Sequence, residues 1–164
     1  MLVVKDASVL IHLSKLSLLE KSCDYFGRVM APLAVNEEIM AGKEKGFGDA
    51  QIVEALIKKR KIVLREAGAE LIEKAFEFNV QGGEAQAVAL YWQEKANLIA
   101  TDDDSVRRKK ELLKVNVIGT PAIVLTLRKN RKISNDKFIN SISLLRRIGW
   151  FSNAVIDKIL MEGK

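Results

Sequence analysis

The fold is decided by residues 98–104, LIATDDD, in which a short apolar run passes directly into three aspartates. The apolar run predicts a buried strand over residues 98–101, and the aspartates then stand at its carboxyl end. In open α/β sheets, ligands bind in the crevice beside the carboxyl ends of the strands. Because clustered carboxylates repel one another, we expect a cation among them. The segment therefore predicts a metal-dependent site at the edge of a sheet.

Apolar runs and helical patterns alternate on either side of this segment. The other strands are expected at residues 2–4, 29–31, 62–64 and 115–118, and the helices at about 9–21, 32–41, 49–59, 69–78, 84–95, 105–113, 121–128, 135–148 and 152–161. Pro32 is expected in the first turn of its helix. This alternation predicts a parallel sheet with helices on both faces. The fold class is therefore α/β, with one domain over residues 1–164 and residues about 121–164 as C-terminal helices packed on it.

The composition narrows the class of protein. The chain has 164 residues, is 48% hydrophobic, and carries 27 Lys and Arg against 21 Asp and Glu, which gives a net charge of +6. Such a balance favours polyanionic partners, nucleic acid before a membrane surface. No apolar run approaches the roughly 20 residues that span a bilayer, and the N-terminus lacks a secretory pattern. A cytoplasmic protein without a membrane partner is expected.

The single cysteine and the single histidine limit the metal chemistry. Cys23 alone excludes an internal disulfide framework and a cysteine-rich zinc site. His12 cannot build a zinc site either, and we expect it to have no chemical role. Carboxylate oxygens are hard ligands, which suit Mg²⁺ or Mn²⁺.

Acids outside the aspartate run stand where they can join it. Asp6 follows the apolar run of residues 2–4, and Ser8 comes two positions later. An acid at a strand end with a nearby hydroxyl can bind a hard cation or orient its water. The alternative is that Asp6 or Ser8 only caps the next helix. In the same way, Asp104 is expected to cap the helix that begins near Ser105.

Two glutamates lie at the edges of inward helix faces. Glu38 lies beside the inner face marked by Val35 and Ile39, whereas Glu37 projects about 100° away. Glu84 shares a helix face with apolar residues, namely Ala87, Val88 and Tyr91. An inward glutamate needs a partner or a metal. The alternatives are an exposed surface position for Glu38 and a favourable place in the first helix turn for Glu84.

These acids resemble, in order and spacing, the motifs of the PIN-domain nucleases, the superfamily that includes VapC-type toxins. The resemblance covers essentially the whole chain and is carried by Val4–Ser8, Pro32–Ile39, Gly83–Ala87, Thr101–Asp103 and Val117–Thr120. The second motif selects Glu38, the third has Glu84 where Asp is commoner, and the Thr-x-Asp motif selects Asp103. Lys5 departs from the pattern, because it is more polar than a buried strand end should be.

The resemblance implies a PIN-like three-layer α/β/α fold with a central parallel sheet of about four to five strands and extra C-terminal helices. It also implies a divalent-metal-dependent ribonuclease that uses Mg²⁺ or Mn²⁺. The implied catalytic residues are Asp6, Glu38, Glu84 and Asp103, of which Asp6, Glu84 and Asp103 bind the metal. The implied supporting residues are Ser8, Thr101, Asp102 and Asp104. Arg107 and Arg108 are the implied RNA-binding residues. The implied partners are RNA, a second copy in a homodimer, and a small antitoxin protein if the chain is a toxin.

Other functions fit the sequence less well. A haloacid-dehalogenase-type phosphatase needs an aspartate two residues after the first, where Ser8 stands, and a receiver domain has its paired acids early in the chain. A catalytically inactive PIN-fold binding module and a housekeeping RNA-processing nuclease remain as alternatives to a toxin. Aromatic residues make up only 6% of the chain, so base stacking is not expected to dominate RNA binding.

Overall fold

Five short strands form one sheet in which every neighbouring pair runs parallel. The computed structural model describes residues 1–46 and 48–164. The strands are β1 (Leu2–Lys5), β2 (Arg28–Pro32), β3 (Val63–Arg65), β4 (Leu98–Ala100) and β5 (Val117–Ile118). Their order across the sheet is β3-β2-β1-β4-β5, so β1 is central. The predicted α/β class with a parallel sheet is confirmed.

Helices connect the strands and then close the chain. They are α1 (Ala7–Lys15), α2 (Leu19–Phe26), α3 (Ala34–Glu44), α4 (Gly48–Lys58), α5 (Ala69–Glu77), α6 (Gly82–Glu94), α7 (Asp104–Arg108), α8 (Lys110–Leu113), α9 (Thr120–Lys129), α10 (Asn135–Ile148) and α11 (Asn153–Glu162). Among the described residues, no helix is long and apolar enough to cross a membrane.

The sheet separates two apolar cores, because successive side chains of a strand point to opposite faces. Val3 of β1 joins the core that holds α1, α2 and the C-terminal helices, whereas Leu2 and Val4 join the core that holds α5 and α6. Both faces of the strands are therefore covered, as expected of a parallel sheet. The result is the three-layer arrangement of helices, sheet and helices.

The helix predicted over residues 9–21 is in fact two helices. Ser17, with φ of 56°, adopts the left-handed conformation after α1, and the Leu18 N–H donates to the Leu13 carbonyl at 2.9 Å. This is a Schellman-type helix end in which serine stands where glycine is usual, which is why the sequence did not reveal it. The break allows Leu16, Leu18 and Leu19 to be buried together. On one continuous helix Leu16 and Leu19 would share a face and Leu18 would point away from it.

Two further departures from the prediction are a divided helix and the position of Pro32. The helix expected over residues 105–113 is divided into α7 and α8. Pro32 ends β2 instead of opening a helix, and α3 begins at Ala34. The pairing of β2 with β1 ends at Met30, so the N–H that proline lacks is not needed at this point of the sheet.

Lys5 is fully buried at the end of the central strand. Its Nζ donates to the Ser22 hydroxyl of α2 and lies 5.3 Å from the centre of the Phe26 ring. Burial lowers the pKa of Lys5 from the ordinary 10.5 to about 8, because the charged form loses its hydration. A hydroxyl and an aromatic face thus make a lysine tolerable where the sequence pattern favours an apolar residue.

We expect Lys5→Met to stabilise the protein at pH 7 by about 2 kcal/mol, because an uncharged chain of similar length replaces a buried cation. Since the folded-state pKa lies below 10.5, the unfolded chain binds more protons between about pH 8 and 10.5, and wild-type stability rises with pH in that window. The variant lacks this rise. Urea denaturation at several pH values measures both effects, with the exposed Lys58→Met as control. If the stability of wild type and of Lys5→Met changed with pH in the same way, Lys5 would not have the lowered pKa given above.

Candidate metal and active site

The register of β1 and β4 brings the first two site residues together. Lys5 lies opposite Ala100 in the parallel ladder, and the Asp6 N–H donates to the Ala100 carbonyl at 3.0 Å. Asp6 and Thr101 therefore leave the sheet side by side, and the Thr101 hydroxyl donates to Asp6 Oδ2. The two strand ends thus form one edge of the site.

Asp6 is both a helix cap and a site carboxylate. Its Oδ1 accepts the Val9 N–H at 3.1 Å and the Ser8 hydroxyl at 2.6 Å, so it caps α1. The Ser8 hydroxyl also accepts the Asp102 N–H at 3.2 Å and so joins the two strand ends. Asp6 can therefore cap the helix and also belong to the candidate site. Its Oδ1 caps α1, and its Oδ2 accepts the hydrogen bond from Thr101.

Asp103 has the same double role at the start of α7. Its Oδ1 accepts the Ser105 N–H at 2.7 Å, and its own N–H donates to the Thr101 hydroxyl at 3.1 Å. The sequence had led us to expect Asp104 as the cap of this helix. That prediction was wrong, because the capping residue is Asp103. Asp104 is exposed in the first turn, 3.7 Å from Arg108.

Two helices bring the glutamates to the aspartates. Glu84 lies in the first turn of α6, and its Oε2 accepts the Ser105 hydroxyl at 2.6 Å. Glu38 comes from α3 and lies over Gly83, where a Cβ would be 3.0 Å from Glu38 Oε1. Glycine at position 83 thus permits the close approach of the Glu38 carboxylate to α6.

One cavity of about 160 Å³ collects the four acids selected by sequence. It is lined by Asp6, Ala7, Ser8, Val35, Glu38, Gly83, Glu84, Asp103 and Trp150. Thr101 reaches the site only through its bonds to Asp6 and Asp103. Asp102, Asp104 and Arg108 do not line this cavity, nor does Glu37. Four different elements or their ends supply the acids.

The cavity raises the pKa of three of its four acids, namely Asp6, Glu38 and Glu84. Burial raises the pKa of Asp6 to about 6, against hydrogen bonds that lower it. Burial, and then the neighbouring Asp103 carboxylate, raise the pKa of Glu84 to about 7, whereas the hydrogen bond with Glu84 lowers the pKa of Asp103. Burial also raises the pKa of Glu38. Burial disfavours the charged forms of these acids, the charges of Asp103 and Asp6 add to this at Glu84, and a cation would relieve both effects.

The donor set fits a hydrated hard cation. All four side chains offer carboxylate oxygens, which Mg²⁺ and Mn²⁺ prefer. In the described part of the chain, no group of three or more His, Cys, Asp or Glu side chains is placed so that it could hold a metal ion by itself. Mg²⁺ usually keeps several waters and takes only one or two carboxylates. An open cavity with carboxylate walls therefore suits this ion.

Comparison with known families agrees with this arrangement. A family model described as a PIN domain matches residues 2–163. The chain belongs to the PIN-domain family. Comparison with curated proteins and with solved structures found no match. PIN domains are generally nucleases, so the fold is of nuclease type and is associated with nucleic-acid binding and divalent metal ions.

Asp102 has a different place in this PIN domain from its neighbours. Its buried carboxylate accepts His12 Nδ1 at 2.7 Å, and the Thr120 N–H and hydroxyl at 2.7 and 2.5 Å. It therefore ties β4 to α1 and α9. Gly119 is required beside it, because a Cβ there would lie 3.1 Å from Asp102 Oδ1 and 2.6 Å from Arg107 Nη2. The Gly-Thr step was noted in the sequence, but its partner was not.

A second cleft adjoins the acidic cavity of the PIN domain. It has a volume of about 680 Å³, and Asp103 and Trp150 line both spaces. Arg107 lines this cleft, whereas Arg108 does not. Sequence reasoning missed Trp150; the only signal was an aromatic pair directly after Gly149, which ends α10.

We expect Asp102→Ala to lower the free energy of unfolding by about 3 kcal/mol, because it leaves the buried His12 and Thr120 donors unpaired. Asp104→Ala, the matched control, is expected to cost less than about 1 kcal/mol because its side chain is exposed. Urea denaturation at pH 7 without metal measures both. Equal effects of the two substitutions would show that Asp102 does not hold the elements together.

Proposed function

We propose that this PIN domain is a divalent-metal-dependent ribonuclease that hydrolyses phosphodiester bonds in RNA. The supporting observation is the convergence of Asp6, Glu38, Glu84 and Asp103 on one cavity. The raised pKa values of Asp6 and Glu84 add to it, since strongly perturbed acids in a cleft favour a functional role over a structural one. The net charge of +6 suits an RNA substrate.

The residues divide into ligands, orienting groups and a rim acid. Asp6, Glu84 and Asp103 would hold Mg²⁺ or Mn²⁺, which when bound lowers the pKa of a water and offsets phosphate charge. The Ser8 and Thr101 hydroxyls fix Asp6 through hydrogen bonds. These bonds reduce the side-chain motion that ligand binding would otherwise have to suppress.

Glu38 differs from the other three acids, because it lies on the exposed side of the cavity. No side-chain hydrogen bond reaches it from the described residues, whereas Asp6, Glu84 and Asp103 are all bonded to protein donors. We assign Glu38 the role of general base, which takes a proton from the attacking water. A general base needs a lone pair that no protein donor occupies. Its raised pKa brings it nearer to the working pH.

RNA would approach across the cleft beside α7. Arg107 lines that cleft, and Arg108 is exposed on the same helix. Phosphate contacts from both would make binding salt-dependent. The family resemblance is what supports a homodimer and, if the chain is a toxin, an antitoxin partner. A housekeeping RNA-processing nuclease would use the same site.

We expect Asp6→Asn and Asp103→Asn each to reduce RNA cleavage at least about 100-fold, because each removes a negatively charged ligand. Asparagine can still cap a helix, so both variants should remain folded. Cleavage of end-labelled RNA with Mg²⁺ or Mn²⁺ measures the effect, and EDTA should abolish it. Asp104→Asn is the matched control and should retain activity. Equal cleavage by all four proteins would reveal a contaminating nuclease and overturn the proposal.

We expect Glu84→Gln to raise the melting temperature of the metal-free protein at pH 8 by about 2–4 °C, because it removes a repelled, half-buried charge. The folded-state pKa of about 7 lies above the ordinary 4.5. Protonated Glu84 therefore contributes stability that is fully present below pH 4.5 and is lost as the pH rises through 7. The lowered pKa of Asp103 stabilises the folded protein above its own titration and offsets part of this loss. Thermal melts at pH 5 and pH 8 test the sign.

The same melts with added Mn²⁺ separate stability from metal binding. The wild type should gain stability with metal, whereas Glu84→Gln should gain much less. Glu77→Gln, on the exposed side of α5, is the control and should behave as wild type. A variant that Mn²⁺ stabilises as strongly as it does the wild type would remove Glu84 from the ligand set.

A further inference from the structure

Trp150 stands at the junction of the acidic cavity and the larger cleft. Its side chain lines both, and only Asp103 is shared in the same way. A substrate that crosses from one space to the other must therefore pass the indole. The acid and the aromatic side chain together form the boundary between the catalytic groups and the cleft.

The indole is held in one orientation although it is largely exposed. Gly149, with φ of 77°, ends α10 and turns the chain. Trp150 Nε1 then donates to the Asp102 carbonyl at 3.0 Å, and the ring meets His12 edge to face at 5.4 Å between centres. Even so, 56% of Trp150 remains exposed. A fixed aromatic face open to solvent is what a stacking ligand requires.

The cleft beside Trp150 combines an apolar wall with one available cation. Pro121, Phe151 and Ile159 contribute apolar surface. Arg107 forms no ion pair with the described residues, whereas Arg108 pairs with Asp104. Of the other charged residues of the lining, Asp102 binds His12 and Thr120, Asp104 lies near Arg108, Lys158 lies 3.9 Å from Glu162, and Asp103 also faces the acidic cavity. The indole and Arg107 together match a flat apolar group with an anion attached, whereas the acids of the lining do not face an anion favourably.

We propose that Trp150 and the cleft form a base-binding subsite for single-stranded RNA. One nucleobase next to the bond to be cut stacks on the indole, and Arg107 contacts its phosphate. This inference rests on the proposed ribonuclease function and names its substrate as unpaired RNA, since a base inside a duplex is stacked on its neighbours and has no face free for the indole. It also assigns stacking to a chain in which aromatics are few.

The test measures binding of a short oligoribonucleotide and of the same backbone with abasic residues, both in EDTA so that no cleavage occurs. The wild type should bind the oligoribonucleotide about 10-fold more tightly than the abasic strand. Trp150→Leu keeps apolar bulk without a ring and should abolish this preference while leaving abasic binding unchanged. Trp150→Phe should retain most of it. Phe76→Leu is the matched control, because Phe76 is an exposed aromatic side chain of α5.

A spectroscopic readout reports the contact directly. The chain has two tryptophans, so Trp92→Phe leaves Trp150 as the sole tryptophan, which can be excited selectively beside the tyrosines. The oligoribonucleotide should quench its fluorescence and the abasic strand should not. If Trp150→Leu keeps the wild-type preference while RNA is still cleaved, the subsite is overturned and the nuclease proposal stands. If the wild type neither binds nor cleaves RNA, both are overturned.

Discussion

The pairing of β1 with β4 is the constraint on which the rest of the molecule depends. It fixes Lys5 opposite Ala100, and the next residue of each strand then has nowhere to go but the same edge of the sheet. Asp6 and Thr101 meet there, and α1 and α7 begin within a few residues of them. The glutamates from α3 and α6 are added to an edge that the strands have already defined. A shift in this pairing would separate the acids without altering one of them.

Helix capping and the proposed metal binding would use the same carboxylates in this PIN domain. Asp6 and Asp103 each give one oxygen to a helix N-terminus. Those backbone bonds orient the side chains before any ligand arrives and lower the entropy cost of binding. The same arrangement buries Asp6 and Glu84, and this burial, together with the neighbouring acids, raises the pKa of both. The site is therefore ordered by bonds that stabilise the fold and strained by charges that oppose it.

The sequence was sufficient where periodicity and position determine the outcome. All five strands and the parallel sheet followed from apolar runs. Helix faces indicated Glu84 and Glu38, the family resemblance selected Glu38 and Asp103 among their neighbours, and one cavity collects these acids with Asp6. The sequence was insufficient where a local bond decides. Ser17 breaks a helix without glycine, and a cap belongs to Asp103 because its side chain, not that of Asp104, reaches a backbone N–H. Trp150 depends on contacts between distant segments, which no local pattern encodes.

The three consecutive aspartates carry an evolutionary consequence. One faces the cavity, one is bonded inside the protein by His12 and Thr120, and one is exposed. Selection should therefore act on them separately. Relatives should keep an acid at position 103, should vary freely at position 104, and should change position 102 only together with positions 12 and 120. The run of identical letters thus contains three independent evolutionary histories, which an alignment would separate by their rates of change.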